Sequence, residues 1–188
     1  MKPFSIGLIP FVLVTICNAQ PNNTTSVPPV PPYINQIYYY QSDSLVSLEK
    51  NEAKVKSKTH AFGYGGSEAG FYMDGEKSSL RMKAADSIKF VVKTGNSMFD
   101  PSMTIKLYHF DSKKGNREAI MSSDGGMYGK AKKTENEISC NIQKSGNDVF
   151  ILIPASKLVA GEYGFLNTML MSGGGMKMSY TVFAFGVD

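Results

Sequence analysis

The sequence predicts an all-β domain, an antiparallel β-sandwich of immunoglobulin-like or jelly-roll type, and three observations predict it. From Tyr33 onward apolar residues recur at every second position, not three and four apart. β-Branched and aromatic residues gather in short runs, and Gly-, Ser-, Asp- and Asn-rich segments separate those runs. Short strands joined by short turns are the pattern of a two-layered antiparallel fold.

The elements follow in order. Residues 36–41, with Tyr38, Tyr39 and Tyr40 in succession, form the first strand, and Ser42-Asp43-Ser44 turns it into a second at 45–49. Residues 54–59 alternate Lys with Val55, Ser57 and Thr59; with little apolar content on either face they read as an exposed edge strand, where lysines discourage pairing with other chains. Gly63, Gly65, Gly66 and Gly70 make 63–70 a loop. Short strands are expected at 71–73 and 79–82, around Asp74-Gly75, and clearer ones at 87–94 and 103–110. In the last of these, Ile105, Leu107 and His109 share one face, and Thr104, Lys106, Tyr108 and Phe110 the other. A turn at 111–116 leads into a strand at 117–122, and 123–133 is a Gly- and Lys-rich loop. Residues 137–144 and 148–153 pair across Ser145-Gly146-Asn147. Val149-Phe150-Ile151-Leu152-Ile153 has no polar side, so it is placed centrally, buried on both faces, with Pro154 as its stop. One helical or 3₁₀ turn over 155–158 precedes a terminal hairpin of 163–171 with 176–187.

The N-terminus predicts a compartment. Lys2 precedes an apolar run from Phe4 to Ile16, and the small residues Cys17 and Ala19 fit a signal peptidase, so residues 1–19 read as a signal peptide cleaved after Ala19. Ile16 is too bulky to precede a lipid-modified Cys17, and the run is shorter than the roughly 20 apolar residues a membrane span needs. Residues 20–32 contain Pro21, Pro28, Pro29, Pro31 and Pro32 and read as an extended tether, and 33–188 as a single domain. Asn22 and Asn23 match an Asn-x-Thr acceptor pattern that matters only in a eukaryotic secretory route. Without Cys17, Cys140 is the one cysteine left, no internal disulfide is possible, and the core must supply the stability. The net charge of +4 comes from scattered lysines, which argues against nucleic acid as a partner.

Few residues carry a chemical signature. Met169, Met171, Met176 and Met178 lie in the terminal hairpin; with Gly173-Gly174 at its tip, Met171 faces Met176, Met169 faces Met178, and Phe165, Tyr180 and Val182 continue the same face. Such a patch is a flexible piece of core, an adaptable contact surface, or a thioether site for Cu(I). His60 and His109 stand alone, without zinc-ligand spacing. Cys140, flanked at second positions by Ile138 and Ile142, reads as a buried thiol acting as a small hydrophobe. Gly63-Tyr64-Gly65-Gly66-Ser67-Glu68-Ala69-Gly70 resembles a nucleophile elbow only superficially, since Ala69 stands where the closing Gly belongs, and Asp124-Gly125-Gly126 lacks the repeated acidic ligands of a calcium loop. Tyr38 and Tyr40 project opposite to Tyr39; they either present an aromatic surface to a sugar or protein, or cover the sheet edge and hold the proline-rich tether.

The leader ending Asn18-Ala19-Gln20, the run Ile37-Tyr38-Tyr39-Tyr40 with Leu45–Leu48 behind it, the segment Leu158-x-x-Gly161-Glu162-Tyr163-x-Phe165 and the terminal Phe185-Gly186-Val187-Asp188 resemble secreted β-sandwich proteins of unknown function from Bacteroidetes-type bacteria. That resemblance implies a cell-envelope or extracellular setting and no catalytic residues. In it, Asp43-Ser44-Leu45 and Asp86-Ser87-Ile88 resemble a short O-glycosylation motif of those bacteria.

The expectation is therefore a non-catalytic extracytoplasmic binding or structural module of the cell envelope, without a cofactor or membrane span, whose partner is a protein or a glycan. Its candidate contact residues are Met169, Met171, Met176, Met178, Tyr38, Tyr39 and Tyr40. A periplasmic copper-handling protein using the methionine hairpin is the first alternative, and a hydrolase with a site assembled from scattered residues the second.

Overall fold

A computed structural model describes residues 27–59, 67–84, 87–96, 98, 100–123, 132–133, 136–172 and 178–188. In chain order its strands are β1 (Ile37–Gln41), β2 (Ser44–Ser47), β3 (Glu49–Thr59), β4 (Ser67–Asp74), β5 (Arg81–Met82), β6 (Lys89–Lys93), β7 (Ile105–Lys113), β8 (Asn116–Ser123), β9 (Lys132–Lys133), β10 (Glu137–Ile138), β11 (Cys140–Lys144), β12 (Val149–Pro154), β13 (Gly161–Ser172) and β14 (Ser179–Val187). They form two sheets, antiparallel except where β5 runs parallel to β14. The smaller sheet has the order β11-β12-β6-β1-β2.

The all-β, antiparallel expectation holds, and the second layer corrects the sandwich. Its strands run β10-β7-β13-β14-β3-β4-β8-β9, and β7 also pairs with β8, so six strands close into a barrel. An immunoglobulin-like or jelly-roll sandwich would leave that layer open. The closing hairpin pairs over Asp111–Lys113 and Asn116–Glu118 only. Farther along, the two strands separate, and Asn136 bridges them: its carbonyl accepts the His109 N–H at 2.8 Å and its side-chain oxygen accepts the Ile120 N–H at 3.2 Å.

A six-stranded barrel has a lumen narrower than the eight-stranded kind that side chains just fill. Its filling follows: Phe71, Tyr108 and Phe110 occupy the interior together with the small Ala53, Ala119 and Ala184, Ala119 being the register partner of Phe71. Phe71 meets Tyr108 and Phe110 edge-on at 4.9 and 5.5 Å. On β13 the inward Gly164 has no room for any side chain; a Cβ there would sit 2.6 Å from Val182 Cγ1 and 2.9 Å from Phe110 Cε2.

The barrel packs one wall against the smaller sheet. Between them lie Ile37, Phe90, Val92 and Leu152 from the sheet, and Leu107, Phe165, Phe183 and Phe185 from the barrel. The Phe90 ring is 4.8 Å from both Phe165 and Phe185. Tyr108 and Phe110 fill the lumen while Ile105 and Leu107 face the sheet, so the alternation predicted along this strand is present. The layers are joined covalently at two places where the chain changes sheet with one intervening residue, at Leu48 between β2 and β3 and at Ser139 between β10 and β11.

Other expectations change accordingly. The lysine-rich stretch belongs to a longer strand inside the sheet: β3 pairs with β14 over Glu49–Lys54 and with β4 over Lys54–Thr59, and the Val55 N–H also donates to the Met178 carbonyl. Its Lys54 and Lys56 stand on the barrel's outside, and the small Ala53 fills the inside, which is why no apolar face was visible. Residues 67–70 are strand, not loop, with a register irregularity between Ala69 and Gly70; a Cβ on Gly70 would lie 2.4 Å from the Ala119 carbonyl oxygen, so the chains approach as only glycine permits. Residues 137–144 are two strands in different sheets. Lys132–Lys133 is a short strand within an expected loop, and 155–158 makes no helical turn. β12 is flanked by β11 and β6 and buried on both faces, as expected. Residues 1–19, read above as a signal peptide, the first part of the expected tether, His60, residues 61–66 and Asp124-Gly125-Gly126 lie outside the described residues.

Gly164→Ala is expected to destabilise the chain by roughly 1–3 kcal/mol in urea unfolding, the range for overpacking a filled interior. Gly146→Ala, whose Cβ would have its nearest neighbour at 3.5 Å, is expected to stay within about 0.5 kcal/mol.

Candidate functional site

The densest set of charged groups lies in one mouth of the barrel. Arg117 on β8 shares an inward face with Ala119 and stands opposite Met73. Its side chain is only 1% exposed. Nη2 donates to Glu49 Oε1 at 2.8 Å and Nε to the Gly75 carbonyl at 3.0 Å, while Nη1 lies 3.8 Å from Glu162 Oε2. Glu162 in turn accepts the Ser78 N–H at 2.7 Å and is paired with Arg81, which also donates to Asp188. Glu49 takes the Ser78 hydroxyl at 2.6 Å and the Ser79 hydroxyl at 3.0 Å. These contacts fasten the segment between β4 and β5 and the C-terminal Asp188 across the barrel's end.

Burial pushes the Glu49 carboxyl up, but hydrogen bonds from Ser78, Asn51, Arg117 and the Ser79 N–H outweigh it and hold the group at about 2. A carboxylate so held is a poor proton acceptor near neutrality. The cluster therefore reads as a structural closure in which each carboxylate is occupied by protein donors.

Among the described residues, clefts lie elsewhere as well. One, of about 100 Å³, opens on the barrel's outer wall beside Gly70, among Lys56, Asp111, Lys113 and Glu118. Its charges are paired: Lys56 to Glu118 at 2.9 Å and Lys113 to Asp111 at 3.7 Å. Another, of about 140 Å³, lies where the chain crosses from β10 to β11 and is lined by Ile105, Leu107, Ile138, Cys140 and Ile142. Burial, with a further push from Glu137, raises the Cys140 thiol to about 12, so it is protonated at neutral pH and packs as the small hydrophobe expected. His109 lies edge-on to Tyr163 at 5.2 Å.

The predicted methionine patch does not form as drawn. Met171 pairs with Tyr180, not Met176, and the register shifts between Leu166 and Met171. Phe165 packs between the layers while Val182 fills the lumen, so they are on opposite faces. Met178 is half-buried, and Met176 lies outside the described residues. Met169 and Met171 are exposed. The irregular register is the physical reason: an extra length of β13 breaks the strict two-residue repeat that would have stacked the thioethers. The tyrosines alternate as predicted. Tyr39 packs against the inter-layer core and Tyr40 against the other face, with its hydroxyl donating to Asp43 at 2.7 Å. Tyr38 is buried rather than presented to solvent.

A different group of apolar residues is presented instead. At one end of the molecule, Asn35 N–H donates to the Lys93 carbonyl at 2.6 Å, and Asn167 Nδ2 to the Asn35 carbonyl at 3.3 Å. Thr168 N–H donates to the Thr104 carbonyl at 2.9 Å. These bonds gather Ile34, the turn at Pro101–Met103 and the end of β13. Ile34 lies over Gly95, 3.5 Å from where a Cβ would stand. From these segments Met103 and Met169 project 74 and 55% exposed, with Tyr33 and Ile34 also exposed, and Met98, in the stretch after β6 where its N–H donates to Asn96 Oδ1, is 92% exposed. Met103 and Ile34 carry no signal of this in sequence, because it is long-range hydrogen bonding that brings three distant segments together. No protein-family model, curated protein or solved structure matches the chain.

Two outcomes follow from the titrating groups. Glu49 sits below its unfolded value, so its stabilisation is complete above about pH 4.5 and is lost as pH falls toward about 2; unfolding free energy over that window is expected to fall more steeply in the native chain than in Glu49→Gln. For Cys140, iodoacetamide labelling at pH 7.5 is expected to be at least tenfold slower in the folded chain than in 6 M urea, and equal rates would mean the thiol is accessible.

Proposed function

We propose that this chain is a non-catalytic extracytoplasmic β-domain that binds a protein partner through its methionine-bearing end. The observation that carries the reading is the exposure of Met103 and Met169 together with Tyr33 and Ile34 on three chain segments that hydrogen bonds hold together, with the exposed Met98 in the stretch after β6. Single exposed apolar residues need no explanation, but a group of large ones at one end marks a contact surface. Unbranched, polarisable methionine adapts to a partner's shape more readily than branched side chains do.

A protein fits this surface better than a glycan. Sugar stacking needs open aromatic faces, and beside Tyr33 this surface offers aliphatic and thioether groups, while Tyr38 is buried and Tyr39 packs against the inter-layer core. A non-catalytic role is supported by the commitment of the Glu49 and Glu162 oxygens to protein donors and by the protonated state of Cys140. The extracytoplasmic setting rests on the apolar leader from Phe4 to Ile16.

The test is site-specific photocrosslinking in envelope extracts, with the photoreactive group placed at position 103 or, as a control, at the exposed Val159. Position 103 is expected to give a discrete adduct that position 159 does not, and Met98→Glu/Met169→Glu is expected to reduce its yield at least tenfold. Indistinguishable adducts from the two positions would refute the reading.

A further inference from the structure

The smaller sheet has two faces, and the barrel takes one. On the other lie Val91, Val149 and Ile151, grouped as a separate apolar cluster with Tyr40, Leu45 and Ile153 packed against it, and Tyr38, the register partner of Val91. Among the described residues no strand of either sheet is left to cover this face. Yet Val91 has no exposed surface, and Tyr38, Val149 and Ile151 are nearly as buried.

The segment 27–32, Val-Pro-Pro-Val-Pro-Pro, is buried with a period of three. Pro28 and Pro31 are buried, whereas Val27, Pro29, Val30 and Pro32 are exposed. Three residues per turn is the repeat of a polyproline II helix, whose every third side chain falls on one side. Six such residues span about 19 Å, close to the roughly 17 Å of the five-residue strand β6 at the centre of the face. The segment also ends in the right place. Ile34 bridges Lys93, and Lys93 is the register partner of Val149 at one end of this face. Tyr33 lies near enough to Tyr38 to act on its hydroxyl electrostatically.

We propose that this outer face is a polyproline II-binding site, and that residues 27–32 of the same chain occupy it with Pro28 and Pro31 seated toward Tyr38, Val91 and Ile151. Proline-rich helices dock on apolar, aromatic-bearing surfaces because their conformation is set before binding and little entropy is lost. The Tyr38 hydroxyl is buried and has no hydrogen-bond partner among the described residues. Polyproline II carbonyls lack internal hydrogen bonds, so they are the acceptor chemistry that this donor fits. The resident segment leaves the donor unused, which makes it exchangeable for another proline-rich segment with prolines three apart.

The test uses the full chain and a Pro28→Glu/Pro31→Glu variant, with a synthetic peptide of residues 22–34 as the probe. In the unaltered chain, proton NOEs are expected from the Pro28 and Pro31 rings to Tyr38, Val91 and Ile151. The peptide is expected to shift amide signals of β1, β6 and β12 in the variant, and to bind the unaltered chain at least tenfold more weakly because the attached segment competes at high effective concentration. A peptide carrying Glu at both proline positions is expected to shift neither. Absence of those NOEs in the unaltered chain overturns the assignment even if the variant fails to fold. So does peptide binding that maps elsewhere, or a dimer in sedimentation that dissociates in the variant, which would make a second copy's segment the occupant.

Discussion

The guanidinium of Arg117 is the constraint on which the barrel depends. It is buried inside a narrow lumen, where an unpaired charge is prohibitively costly, and it is tolerated because Glu49, Glu162 and the Gly75 carbonyl surround it. Those partners come from β3, β13 and the segment after β4, and through Arg81 and Asp188 the set reaches β5 and the C-terminus. None of these contacts is local in sequence. The cluster therefore forms only when the barrel has closed in one register, since a one-residue slip of any contributing strand would turn its charged side chain outward. Its value lies in specifying that register more than in net stability, as buried ion pairs rarely outdo a well-packed apolar core.

Above that closure the lumen is a problem of volume. Aromatic side chains from β4 and β7 need alanine and glycine opposite them, and Gly164 has room for no side chain at all. The same smallness hid the barrel in the sequence. Strand existence was legible along most of the chain, because alternation and β-branched runs report half-buried surfaces directly. What was not legible was that Ala53 and Ala119 are core residues and that the lysines of β3 stand on the outside of a closed wall. Composition cannot tell a small residue that fills a narrow lumen from one that fills nothing. Closure also depends on the β7–β8 hairpin pairing at its tip and on Asn136 bridging beyond it, which no local pattern encodes.

Sites were less legible than strands. The alternation of Tyr38, Tyr39 and Tyr40 followed from the two-residue repeat alone, and Cys140 was readable as an inert thiol from its isoleucine neighbours. The methionine register was not, because the irregularity in β13 shifts the pairing between Leu166 and Met171. The exposed assembly of Ile34, Met103 and Met169 joins segments that sequence keeps far apart. The proline-rich residues from Val27 show how little composition says of contacts: an extended tether and a polyproline II segment lying on a face share the same residues. Pro28 and Pro31 being buried while their neighbours are exposed distinguishes the two.

The most direct test of the account is the Arg117 side chain itself, observed by ¹⁵N NMR of the folded chain at neutral pH. Its Nε–H is predicted to give a resolved signal that exchanges slowly with solvent and shows an NOE to the backbone at Gly75. A rapidly exchanging Nε–H without that NOE would place Arg117 in solvent, and the barrel closure built on it could not stand.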